Sequence, residues 1–162
     1  MWMVSSVWFG VPFYILFIGL LSKSYNTKQV LQLILVLLLV VALCDLSAKY
    51  CFKEVFERFR PSHNLLLKDK LHLVRNYKGG YFGFVSSHAS NMAGISTMMY
   101  FLLKPRFRKI WIFLIPFVLL ICYSRVYLGV HYVSDIIGGI ILGISIATFV
   151  YCLLKKNNFI KC

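Results

Sequence analysis

The chain has 162 residues, enough for one domain, and is 60% hydrophobic but only 14% charged. Soluble domains are usually near half apolar and a quarter charged, so this composition argues against an ordinary water-soluble domain. The net charge of +13 suggests nucleic acid as a partner, but no basic helix or RNP-like motif is present and the apolar runs would go unexplained. A membrane surface or a phosphate-bearing substrate fits that charge better.

Five apolar segments follow one another along the chain. The first runs from about Met3 to Leu21 and contains Pro12, which membrane helices tolerate. The first 22 residues have no positive n-region and no A-x-A site, so they read as a mature membrane segment rather than a cleavable leader. The second segment runs from Val30 to about Lys49. Asp45 within it is expected to be structural, pairing with Lys49 one turn on or with Lys53. A long polar connection follows, from about Tyr50 to Ser87, with a Gly- and Tyr-rich stretch at its end (Tyr77, Gly79, Gly80, Tyr81, Gly83) that reads as a flexible loop able to close over a headgroup.

The third segment, His88 to Leu103, is short and starts polar with His88, Ser90 and Asn91, so it is expected in the bundle interior. The fourth runs from Ile110 to about Leu128 and contains Pro116. The fifth, Val133 to Leu154, carries Gly139 and Gly143 in a GxxxG spacing that permits close helix packing. Several segments approach the roughly 20 residues needed to cross the hydrocarbon. The expected fold is therefore all-α: an integral-membrane helical bundle with about five transmembrane helices, forming a single domain over residues 1–162.

Topology follows from the positive-inside rule. With five spans, the loop at Lys23 and Lys28, the loop from Lys104 to Lys109 and the tail with Lys155, Lys156 and Lys161 share one face that carries no acids. That face is expected in the cytoplasm, which puts the long connection and its active-site residues on the periplasmic or extracellular side of the inner membrane. The connection is basic too, with Lys53, Arg58, Arg60, Lys68, Lys70, Arg75 and Lys78, although Glu54, Glu57 and Asp69 accompany them. Phosphate binding would account for cations on an outer face. The cysteines, Cys44, Cys51, Cys122, Cys152 and Cys162, form no CxxC pair or other metal spacing and read as small hydrophobes.

Three clusters fall at the outer end of the bundle: Lys53 with Arg60 and Pro61, Ser86-Ser87-His88, and Ser124-Arg125 with His131 and Asp135. Guanidinium groups match phosphate oxygens bidentately and lysine adds a point charge, so Lys53, Arg60 and Arg125 form an anion site. Ser86 and Ser87 stand at a helix start, where backbone N–H groups and the dipole favour an anion. His131 and Asp135, four apart, share a helix face. The carboxylate can hold one ring nitrogen and leave the other free to attack phosphorus. His88 can then act as the general acid. This is a two-step displacement through a phosphohistidine, built on positioning and charge and requiring no metal and no cofactor.

The same residues resemble the type 2 phosphatidic acid phosphatase (PAP2) superfamily, which includes bacterial lipid phosphatases and soluble vanadium haloperoxidases. Its pattern is KxxxxxxRP, PSGH and SRxxxxxHxxxD. The first motif is intact as KEVFERFRP (Lys53–Pro61) and the third as SRVYLGVHYVSD (Ser124–Asp135). The second reads VSSH, with Val85 for Pro and Ser87 for Gly. The resemblance covers about residues 30–154. It implies phosphate binding by Lys53, Arg60, Ser86, the residue-87 amide and Arg125. It further implies His131 as nucleophile, Asp135 as its partner and His88 as acid. The implied activity is hydrolysis of a lipid phosphate: undecaprenyl diphosphate, a lipid A phosphate, phosphatidylglycerophosphate or phosphatidic acid. Two other readings use the same charges: a catalytically inactive lipid-phosphate-binding or transport module, and a vanadate-dependent haloperoxidase. Binding alone needs neither histidine nor Asp135, and the apolar spans argue against the haloperoxidase.

Overall fold

The computed structural model describes residues 1–5, 7–67, 71, 73–74 and 77–157. Lys68, Asp69, Lys70, Arg75, Lys161 and Cys162 lie outside the described residues. Five helices carry the architecture: α1 (Val7–Ser22), α2 (Thr27–Phe56), α3 (Ser87–Leu103), α4 (Trp111–Tyr127) and α5 (Val133–Lys156). No strand occurs among the described residues, and the single extended pairing is an isolated antiparallel bridge between Phe59 and Phe82.

Local sequence sets the helix ends. Asn26 caps α2 by accepting from the Gln29 N–H at 2.9 Å, and the Gln29 side chain accepts from the Asn26 N–H at 3.1 Å. This reciprocal pair satisfies two N–H groups that a helix start otherwise leaves unpaired. α2 runs past the expected end near Lys49. It continues through a π-helical turn, Ser47–Lys53, and a last α turn, Glu54–Phe56, and stops where Glu57 takes φ 43°. Lys53 is therefore mounted on a helix rather than on the connection. π-Helical turns are uncommon and often lie at functional sites.

α3 is the central helix, as its polar start suggests. It contacts α2, α4 and most extensively α5. Glycine spacing explains the α3–α5 approach. A Cβ on Gly139 would stand 2.6 Å from the Ser86 carbonyl oxygen, and one on Gly143 would stand 2.8 Å from the Gly94 nitrogen. In lipid, where apolar surface gains nothing from hiding, such close van der Waals contact is a main source of helix association. The GxxxG spacing is thus used for packing within the chain.

The two ends of the bundle differ. At one end Leu21, Val40, Met98, Met99, Leu102 and Ala147 form an apolar core, tied by a 2.9 Å hydrogen bond from the Tyr25 hydroxyl to the Leu102 carbonyl. At the other end the buried residues include Arg60, Ser86, Ser124, Arg125, His131 and Asp135. Outward positions such as Leu35, Leu38, Phe113, Leu119, Ile141 and Phe149 are exposed. An apolar exterior around a polar pocket is the surface of a bundle solvated by lipid. Cys44 and Cys122 are buried, whereas Cys51 and Cys152 are exposed.

Candidate active site

Four segments converge at the polar end: the last turns of α2, the extended segment Arg58–Arg60 with its partner at 81–83, the start of α3, and the α4–α5 junction. The extended pair is held by two backbone hydrogen bonds, Arg60 N–H to the Tyr81 carbonyl at 3.0 Å and Gly83 N–H to the Arg58 carbonyl at 2.8 Å. The Ser62 hydroxyl adds a 2.7 Å bond to the Lys78 carbonyl. The Gly-rich stretch expected to stand free is thus laid along the arginine segment. Its glycines are needed for that closeness. Gly79 has φ +67°, and a Cβ there would lie 2.5 Å from the Arg60 guanidinium. A Cβ on Gly83 would lie 3.0 Å from Asp135 Oδ2.

The cations are fixed from different elements. Arg60, 9% exposed, donates Nε–H to the Phe82 carbonyl at 3.1 Å, which leaves the rest of its fork available. Arg125 is 2% exposed, faces the Tyr77 ring at 5.9 Å, and its Nε has no hydrogen-bond partner. Burial, then the neighbouring Arg125, act against the Arg60 charge, with Tyr77 and Asp135 partly offsetting them. Guanidinium remains protonated in proteins, so two buried arginines side by side amount to a stored demand for an anion.

Lys53 Nζ donates to Ser87 Oγ at 2.6 Å. The serine that replaces the motif glycine therefore holds the motif lysine. Ser86 is the N-cap of α3, its hydroxyl accepting from the Ala89 N–H at 3.4 Å. Val85, the other departure from the motif, is buried where a Cβ on Gly138 would stand 2.8 Å from it.

His131 lies between α4 and α5 and is 3% exposed. Its Nδ1 is 3.5 Å from Asp135 Oδ2 and has no closer partner. That distance is at the outer limit of a hydrogen bond, and resting active sites often tighten only with substrate bound. Burial pushes the imidazole down to about 4; the hydrogen bond to Asp135 opposes this, and Arg60 and Arg125 reinforce it. Near neutral pH the ring is uncharged, the form in which a nitrogen lone pair is free. Asp135 is fully buried. Besides facing His131, its Oδ2 accepts from the Tyr132 N–H at 2.9 Å, so it also caps α5. His88, on the first turn of α3, is exposed to the pocket and lies within electrostatic reach of His131, Lys53, Arg60 and Arg125.

The PAP2 superfamily profile matches residues 29–159. The chain belongs to the PAP2 superfamily. It is 36% identical over 152 residues to a protein of Porphyromonas gingivalis named lipid A 4'-phosphatase, matching 93% of this chain and 63% of that protein. A protein of the same name from Bacteroides thetaiotaomicron is 31% identical, over 82% of this chain and 59% of the relative. The chain thus spans less than two thirds of the length of these two relatives. It is also similar to the crystal structure of a transmembrane PAP2-type phosphatidylglycerolphosphate phosphatase from Bacillus subtilis. The TM-score is 0.67 at 29% identity, covering 95% of this chain and 73% of that one. The all-helical membrane bundle is accordingly that of a PAP2 membrane protein.

All eight residues singled out from the PAP2 motifs fall at this one end of the bundle. Asp45 forms no ion pair within 4 Å among the described residues, since Lys49 reaches Glu54 at 3.9 Å and Lys53 is held by Ser87, but it lies within electrostatic reach of Lys53, one of its two expected partners. Sequence reasoning missed Arg58, which reads there as one more surface cation. Its NH1 donates to Asp135 Oδ1 at 3.0 Å and to Ser134 Oγ at 2.7 Å, and its guanidinium covers the Tyr132 ring at 4.3 Å. A signal was available, because residues two apart on an extended segment point to the same face. No group of three His, Cys, Asp or Glu side chains that could hold a metal ion occurs among the described residues. The charge that can meet a phosphate comes from lysine and arginine.

Proposed function

We propose that this chain is a membrane lipid phosphatase working through a phosphohistidine on His131. The observation that carries the proposal is the convergence of Lys53, Arg60 and Arg125 on two histidines, of which one alone is backed by a buried carboxylate. The cations take the phosphate oxygens, with Ser86 and the residue-87 amide at the helix start. Asp135 keeps the His131 proton on Nδ1, so the Nε2 lone pair attacks phosphorus. The N–P bond forms as the ester P–O bond breaks, and His88 gives its proton to the departing oxygen. Water then attacks the phosphohistidine and passes a proton to His88. The N–P bond breaks, releasing inorganic phosphate and restoring both rings.

The substrate class that fits best is a lipid A-type phosphate, the activity named for the relatives from Porphyromonas gingivalis and Bacteroides thetaiotaomicron. Phosphatidylglycerophosphate, phosphatidic acid and undecaprenyl diphosphate are the other members of the class. Positive-inside asymmetry supports an inner-membrane protein whose site faces the periplasm. The inactive binding-module reading has no use for the Asp135–His131 pair.

The test is phosphate release by detergent-purified protein across these four lipids, with and without EDTA, beside His131→Ala. The expected result is release that EDTA leaves unchanged and that falls by about a thousandfold or more in the variant. Release surviving in His131→Ala overturns the nucleophile, and no release from any lipid favours the binding module.

A further inference from the structure

A cavity of about 240 Å³ reaches His88 between α1, α2, α3 and α4. Ser87, Tyr14, Asp45, Asn91 and Phe117 line it with His88. It is smaller than the roughly 300–1,000 Å³ of a drug-sized site, which leaves room for a single ring-sized group.

One feature makes its lining unlike a packing defect. Asn91 lies three residues beyond His88, on the same face of α3 and one turn deeper. Its Oδ1 is fully buried and has no hydrogen-bond partner. Buried acceptors are nearly always satisfied, so one left over at a cavity wall asks for a donor from an occupant. Asp45 also lines the cavity, exposed and within electrostatic reach of Lys53, so the unanswered acceptor is that of Asn91.

The cavity also lies on a particular side of the reaction. In-line displacement puts the attacking nitrogen and the departing oxygen on opposite faces of phosphorus. His131 attacks and His88 protonates the departing oxygen, so the departing alcohol lies on the His88 side, which this cavity reaches.

We infer that the cavity is the leaving-group subsite, and that Asn91 selects substrates whose leaving alcohol carries a hydroxyl or amide N–H beside the ester oxygen, as an acylated amino sugar does and a prenyl chain does not. This rests on the phosphatase reading above and narrows its substrate class. Asn91 is a specificity-determining residue, and Asp45 lines the same subsite.

The experiment compares wild type with Asn91→Leu on two lipids, a diacyl-glucosamine phosphate and a prenyl monophosphate, whose leaving groups are the amino-sugar alcohol and the prenyl alcohol. The expected result is a kcat/KM about tenfold or more lower on the glycolipid and within about twofold on the prenyl lipid. The prenyl arm reports folding in the same sample. Equal loss on both lipids, or loss on neither, overturns the inference. A second readout needs no turnover: binding of dephosphorylated diacyl-glucosamine, the leaving alcohol itself, by calorimetry in micelles. About tenfold weaker binding to Asn91→Leu supports the subsite, and equal binding overturns it. That binding difference, seen without turnover of any lipid, would keep the subsite and overturn the phosphatase reading alone.

Discussion

The two histidines share the same cations, Arg60 and Arg125, but differ in what backs them. His131 is sealed in, with a carboxylate behind it and an arginine behind the carboxylate. His88 stands on an exposed first turn and lines a cavity, and among the described residues it forms no hydrogen bond or ion pair with a carboxylate. The same imidazole is thus offered two jobs by its neighbours. A ring held in one tautomer, neutral and dry, suits covalent attack. A ring open to substrate and water, among cations that a phosphate dianion neutralises, suits carrying a proton in and out.

The largest effect should come from separating those jobs by leaving group. His88→Ala is expected to lower turnover of an alkyl or sugar phosphate by about a hundredfold or more, because an alkoxide cannot leave unprotonated. A nitrophenyl phosphate needs no proton and should lose about tenfold or less. A stopped assay of both substrates on one preparation checks this. Equal losses would erase the distinction between the two rings.

Next in size is the support behind His131. Arg58→Ala leaves the buried Asp135 carboxylate with one donor fewer, and activity should fall by about ten- to a hundredfold. The Arg58 side chain is 41% exposed, so the associated stability loss should stay near 1 kcal/mol, well short of the value for a sealed pair. Arg58→Lys should recover part of the activity. Removing the arginine also frees Asp135 to favour the imidazolium, so the His131 titration, followed by NMR of labelled histidine, should move up from about 4. A purely structural role for Arg58 would leave that titration in place.

The smallest effect is on stability against pH. His131 titrates near 4 in the folded chain, below the ordinary value of about 6.5. Between those values the unfolded chain binds more protons, so stability rises with pH there and is lost as pH falls from 6.5 toward 4. Thermal unfolding in detergent should show that slope, and His131→Asn should make it shallower.

Much of this was legible beforehand because its signals are local. Long apolar runs announce helices, and His131 and Asp135 are neighbours by helical spacing alone. Gly139 with Gly143 marks the close packing, whereas the Asn26 cap ahead of the expected start at Val30 went unread. What else escaped depends on segments meeting. The π turn moves Lys53 onto α2, and its lysine then meets Ser87, 34 positions away. Arg58 reaches Asp135 across 77 positions. Nothing near Asn91 in the chain reveals that α1, α2 and α4 leave its oxygen unanswered. Asp45 has two lysines further along its helix: Lys49 turns to Glu54, while Lys53 stays within electrostatic reach of it.

The contact between α3 and α5 has a consequence for timing and tolerance in the chemistry. The helix that begins beside His131 and the helix that carries His88 touch through Gly139 and Gly143, where not even a methyl group fits. These hydrogen atoms work as the closed jaws of a caliper, and the gap they hold is the span across which phosphorus must pass from one atom to another. Bulk added at the jaws, deep in the bundle and away from any substrate, would open that span and slow transfer although no reacting group had been substituted.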